Sequence, residues 1–386
     1  MKSNYILVKK IGILFIFLLS LACKEAEKSK TLAENPEGKE IAIEYANGFS
    51  ITEFKDYSII EVNSPWPEAE KSFKYLLAKK EAKIPENVTY DQKVTIPVQK
   101  MVVTSTTHIP ALEALNETST LKGFPGLDYI SSEQTRNLID SGAIKEVGKN
   151  ESLNTEVLID LQPDVVIGFA INADNKSFST IQKTGIPVVY NGEWTESSAL
   201  GKAEWIKFFG ALYDKSKAAD SIFQRIESNY QSAKKLAETA ENKPTVLSGA
   251  MYKDQWYLPY GNSWQAQMIK DANAEYLWAD TKGSGSLSLS FESVLDKAQD
   301  ADFWISAGQF TSYSGMLEQS QHYSQFKAVQ DKKVFSVSMS KGETGGVIFY
   351  ELGPNRPDLI LKDLISIFHP QLLENYQPTF YKALND

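Results

Sequence analysis

Residues 216–242, SKAADSIFQRIESNYQSAKKLAETAEN, contain neither glycine nor proline, and no other stretch limits the fold of this chain so strongly. The apolar positions Ala219, Ile222, Phe223, Ile226, Tyr230, Ala233 and Leu236 recur at spacings of three and four, the pattern of an amphipathic helix with one buried stripe. At 1.5 Å per residue, about 26 residues make a rod of roughly 40 Å, stopped before Pro244. Such a rod between two folded halves cannot hinge freely, so large clamshell motion is not expected. The other reading packs the helix wholly within one half.

On both sides of the rod, strand and helix signals alternate. Before it come KVTIPVQKMVVTST (93–106), the helical IPALEALNE (109–117), PDVVIGF (163–169) and IPVVYN (186–191). After it come TVLSGAMY (245–252), a helix from Trp264 to Asp271, DADFWISAG (300–308) and KVFSVSM (333–339). This alternation predicts an α/β fold with mostly parallel sheets, and 386 residues are enough for two lobes. NTEVLIDLQPDVVIG (154–168) and LSFESVLDKAQDADFWI (289–305) also echo one another, matching Glu156, Asp160 and Asp164 to Glu292, Asp296 and Asp300. The expected order is an N-terminal annex of short strands (41–95), an N-terminal lobe (96–215), the interlobe helix (216–243) and a C-terminal lobe (244–386).

The first 22 residues combine Lys2, Lys9 and Lys10 with an apolar run from Ile11 to Leu19. That run is shorter than the about 20 residues a membrane span needs, so a signal peptide is expected. With Cys23 the segment resembles a bacterial lipoprotein leader, which implies lipidation of that cysteine, although Ser20 stands where such leaders usually carry Leu. Residues 23–40 read as a polar tether. The expected location is therefore the cell envelope, with the chain lipid-anchored to a membrane. The net charge of −9 excludes tracking a phosphate backbone, so no nucleic-acid partner is expected. A single cysteine excludes a disulfide framework or a Cys-rich metal centre within one chain.

VVTSTTHIPALEAL (102–115), VGKNESLNTEVLIDLQPDVVIGF (147–169), GIPVVYNGEW (185–194), GAMYKDQWYLPYGNSWQAQMIKDANAEYLWAD (249–280) and SLSFESVLDKAQDADFWI (288–305) together resemble class III solute-binding proteins of ABC importers. That family carries iron–siderophore complexes, haem and vitamin B12. The resemblance spans about residues 95–370. It implies two Rossmann-like lobes joined by one long helix, with the ligand in the cleft between them. It also implies an ABC permease dimer with its ATPase as partner, docked through Glu156 and Glu292, one on each lobe. A monomer without a cofactor is expected.

In open α/β sheets ligands sit beyond the carboxyl ends of the strands. That rule nominates Ser105, Thr106, Thr107, His108, Phe169, Asn191, Glu193 and Trp194 in the first lobe. In the second it nominates Tyr252, Trp256, Tyr257, Tyr260, Trp264, Gln309, Phe310, Met339 and Ser340. The aromatic run from Tyr252 to Trp264 offers flat faces to a large rigid ligand, with ordinary core packing as the competing reading. Arg356 in GPNRPD (353–358) is a candidate partner for a ligand carboxylate. Of three histidines only His108 falls in a predicted cleft loop, which argues against capture of a bare metal ion, a role needing several His and carboxylate ligands. The chain lacks G-x-S-x-G, H-E-x-x-H and G-x-x-x-x-G-K, so a binding protein is favoured over an enzyme or an adhesin.

Overall fold

The structure is a computed structural model and describes residues 38–150, 152–173 and 175–386. The expected leader, Cys23 and the tether up to residue 37 lie outside the described residues. Among the described residues, no helix is long and apolar enough to cross a membrane.

The strand Met101–Val103 is wholly buried, as a parallel strand covered on both faces requires. It is central in a five-stranded parallel sheet ordered Val188–Tyr190, Val165–Gly168, Met101–Val103, Leu121–Phe124, Lys145–Glu146. The second half repeats the plan. Glu275–Tyr276, Thr245–Ser248, Phe303–Ile305 and Val334–Ser336 run parallel, and Lys382–Ala383 closes the edge antiparallel. The chain is thus α/β with two lobes, each built around its own core.

The long helix runs from Ser216 to Ala237, roughly 33 Å at the standard rise. Its buried stripe divides between the lobes: Ala219, Phe223 and Ile226 enter the first core, and Tyr230, Ala233 and Ala237 enter the second. The helix therefore bridges the two. It ends seven residues before Pro244 because Glu238, Thr239, Glu241 and Asn242 have nothing apolar to bury, and tight turns at Thr239 and Ala240 close it instead.

Residues 39–96 form a separate five-stranded sheet. Phe49, Ile51, Ile60, Val62, Tyr75 and Leu77 on one face join the first lobe's core, and Ile84 and Val88 cover Tyr57, Leu76 and Ala78 on the other. Two buried carboxylates fasten this sheet to the lobe. Glu204 accepts the backbone N–H groups of Glu44 (2.9 Å), Tyr45 (2.7 Å) and Ala46 (2.9 Å). Glu196 accepts that of Gly48 (2.8 Å) and the indole N–H of Trp205 (3.0 Å). Lys207 Nζ, also buried, lies 2.9 Å from Glu204 and donates to the Ala42 carbonyl at 2.8 Å.

The echo between the lobes is structural for its glutamates but not for its last acid. Glu156 and Glu292 sit in the first turns of the helices Thr155–Leu161 and Phe291–Ala298, each of which leads into a buried strand. Asp164, directly before its strand, accepts the backbone N–H of Gln99 and Lys100 at 2.7 and 2.9 Å. In the second lobe Asp302 fills that place, accepting the N–H of Thr245 at 3.0 Å. The second connection is two residues longer, so the sequence match to Asp300 is out of register.

Candidate functional site

The first-lobe strands Met101–Val103, Leu121–Phe124 and Val165–Gly168 end facing residues 341–351 of the second lobe. A hollow of about 270 Å³ lies between them, lined by Thr104, Ser105, Thr106, Phe124, Tyr129, Asn150 and Phe169 on one side and by Gly346, Val347, Tyr350 and Glu351 on the other. A larger hollow of about 530 Å³ shares Glu351 and continues past Pro110, Glu113, Ser131, Arg136 and Glu343. Together they form a seam at the carboxyl ends of the first lobe's strands, where ligands of open α/β sheets sit.

Across the seam the lobes touch through a turn, a carboxylate and the side chain of Asn355. Lys341 bridges Val347, and the Gly342 N–H donates to the Gly346 carbonyl at 2.8 Å. A Cβ on Gly342 would stand 2.7 Å from Ser131 Cα, and one on Gly346 2.8 Å from the Tyr129 carbonyl oxygen; only glycine permits so close an approach. Thr344 Oγ1 donates to the Asp128 carbonyl at 2.8 Å. Glu351 accepts the backbone N–H groups of Ser131 (2.7 Å) and Ser132 (2.9 Å). Burial, with Glu113 nearby, pushes its carboxyl up to about 7 in spite of those bonds.

Of the residues nominated from sequence, Ser105, Thr106 and Phe169 come together on the seam. Trp194 lies behind Phe169, ring centroids 5.6 Å apart. Thr107 is engaged within the protein: its hydroxyl donates to Glu193 at 2.7 Å, and its carbonyl accepts from Asn355 of the other lobe at 2.8 Å. Trp264 is half-buried, stacked on Phe349 with Lys202 Nζ 5.8 Å from its ring. Tyr252, Tyr257 and Gln309 are exposed and Tyr260 rests on Gly283; none of these four lines either hollow.

Three nominations are corrected by their surroundings. Trp256 is 0% exposed, because alternation along Gln255–Pro259 turns Trp256 and Leu258 inward and Tyr257 outward. Arg356 spends Nε and Nη2 on Asp358, both at 2.8 Å, and lines a hollow against the interlobe helix that shares only Pro110, Glu113 and Leu352 with the larger seam hollow. His108 is 1% exposed, with neither ring nitrogen hydrogen-bonded and the Phe209 ring 5.7 Å away. In this packing it has no access to the seam.

Burial pushes the His108 imidazole down to about 3. Its folded value lies below the ordinary 6.5, so its contribution to stability is complete above that pH and is lost as pH falls toward 3. At pH 5 the loss is about 2 kcal/mol. His108→Leu removes this loss, and urea midpoints at pH 7.5 and pH 5 are expected to fall less for the variant than for the parent. Glu351 has the opposite slope but is present in both proteins, so it cancels in the comparison. Equal falls would refute the assignment.

The seam residues missed from sequence are Phe124, Tyr129, Asn150, Tyr350 and Glu351. Gly123 disguised the strand Leu121–Phe124, and the turn-forming KGETGG (341–346) was the available signal for the facing loop. Among the described residues, no group of three or more His, Cys, Asp or Glu side chains is placed to hold a metal ion.

An uncharacterized lipoprotein of Methanocaldococcus jannaschii is 28% identical over 81% of this chain and 76% of its own length. A periplasmic haem-binding protein of Pseudomonas aeruginosa shares the fold at a TM-score of 0.55 and 15% identity, covering 75% of this chain and 99% of that one. An ABC transporter substrate-binding protein of Listeria monocytogenes does so at a TM-score of 0.50 and 16% identity, covering 70% and 99%. The family model described as periplasmic binding protein matches residues 101–338, most of the first lobe, the helix between the lobes and the larger part of the second, and the chain belongs to that family.

Proposed function

We propose that this protein captures an iron chelate or a related metal macrocycle (ferric siderophore, haem or corrinoid) in the interlobe seam, outside the cytoplasm, and delivers it to an ABC permease and its ATPase. The seam carries this reading: two adjoining hollows walled by both lobes, the smaller at the strand ends and edged by Phe124, Tyr129, Phe169 and Tyr350, the larger by Ser131, Ser132 and carboxylates, offer flat apolar faces and hydroxyls to one bulky guest. The haem-binding neighbour and the lipoprotein relative support the cargo class and an anchor at Cys23. The role is binding, with no catalytic step.

Glu156 and Glu292 are the docking groups in this reading. Both are exposed at the starts of matching helices capped by Asn154 and Ser290, so a two-fold partner would meet one carboxylate from each lobe. Exposed charges of this kind set orientation and encounter rate more than affinity. The double variant Glu156→Lys/Glu292→Lys is expected to lower ATP-dependent uptake by reconstituted transporter at least about tenfold, with the affinity of the isolated protein for its cargo unchanged. Unchanged uptake, or a parallel loss of affinity, would sink the docking assignment. The absorbance spectrum of protein purified from its own host tests the cargo class: a Soret, corrin or ferric charge-transfer band is expected, and a spectrum with none of them would overturn it.

A further inference from the structure

The charged groups on the seam are almost all of one sign. Glu351 is the one charged residue lining the smaller hollow. Around the larger one stand Glu113, Glu133, Glu343 and Glu351 against a single cation, Arg136. Of that guanidinium, Nη1 donates to the Leu127 carbonyl at 2.8 Å, Nη2 lies 3.7 Å from Asp140, and the buried Nε has no partner. Lys176 lies farther out, in an adjoining hollow reached past Phe169.

From this distribution we infer that the seam selects cargo without net negative charge, an electroneutral or cationic chelate that presents N–H or O–H donors to Glu351 and lays an apolar face against Tyr129 and Tyr350. This rests on the seam being the cargo site, as proposed above. A trianionic chelate or the propionates of haem would be brought beside carboxylates that outnumber the one cation, Arg136, and like charges brought together in a partly dry cleft reject a ligand more strongly than matching contacts reward it. A cation gains instead from the carboxylates and from two rings that are 73% and 59% exposed, whose faces attract positive charge. Two carboxylates acting over a separation on the order of 8 Å would give a discrimination of at least about 100-fold in affinity.

The test is a fluorescence titration of the intact chain at pH 8.5, where the Glu351 carboxyl is ionised, with four probes: ferrioxamine B, a cationic ferric tris-hydroxamate; cyanocobalamin, which has no net charge; ferric enterobactin, a trianionic tris-catecholate; and haemin. One of the first two is expected to bind at least about 100-fold more tightly than either anion. Glu343→Lys changes an exposed turn residue and is expected to narrow that gap about tenfold; Glu351→Gln, which keeps an acceptor for one of the Ser131 and Ser132 N–H groups, should narrow it further. Tightest binding by an anion would overturn the inference and leave the seam standing as the cargo site. A gap that neither variant moves would overturn it as well, because selection would then come from elsewhere. Binding of none of the four would remove the reading of the seam as a chelate site, and this inference with it.

Discussion

Replacing Glu204 by leucine is expected to destabilise the protein by about 3–5 kcal/mol. The carboxylate is 0% exposed and satisfies three successive backbone donors, those of Glu44, Tyr45 and Ala46. Leucine would strand all three, and a buried donor left without a partner costs more than an intact bond is worth. It would also strand Lys207, whose remaining carboxylate partner, Asp220, is 3.4 Å away and half-exposed. Glu204→Gln keeps an acceptor and should cost less. Urea unfolding followed by circular dichroism reads both variants, and a loss below about 1 kcal/mol for Glu204→Leu would show that the clasp is dispensable.

Trp256→Ala is expected to cost a similar amount, about 3–5 kcal/mol, whereas Tyr257→Ala should fall within about 0.5 kcal/mol of the parent. The two side chains are neighbours in sequence and opposites in environment. Trp256 packs on Trp304, Phe326 and Tyr323 at centroid distances of 5.0, 5.7 and 6.3 Å and donates its indole N–H to the Ser248 carbonyl at 3.3 Å. Tyr257 is exposed. If Trp256 held cargo instead, its truncation would abolish binding and leave the unfolding midpoint unchanged, so measuring both separates the roles.

The same pair shows why the architecture was easier to read than the site. A stripe at spacings of three and four over residues 216–236 admits one regular structure, and short β-branched or aromatic runs such as VVIG and FWI favour buried strands. A ligand-facing aromatic and a core aromatic, by contrast, have identical composition. What distinguishes Trp256 from Tyr257 is a two-residue alternation whose phase is fixed only when Gln255–Pro259 pairs with Ala250–Tyr252 and Ser286–Leu289. Arg356 was misplaced for a related reason: its carboxylate partner lies two residues away, at Asp358, and not on a ligand. The paired glutamates were legible because a capped first turn is local. The seam's facing loop was not, because its closeness to Ser131 and Tyr129 depends on how two lobes meet, some 200 residues apart in the chain.

The annex also settles where mechanical load goes. Tension applied at Lys39 enters a sheet held to the body by its apolar face and by Glu196, Glu204 and Lys207, and from Lys207 one route leads to Asp220 near the start of the interlobe helix. That route runs along the spine of the molecule and bypasses the turn at Gly342–Gly346. Under the proposed function, a chain pulled by its N-terminus would thus take the load in its annex and interlobe helix, away from the seam.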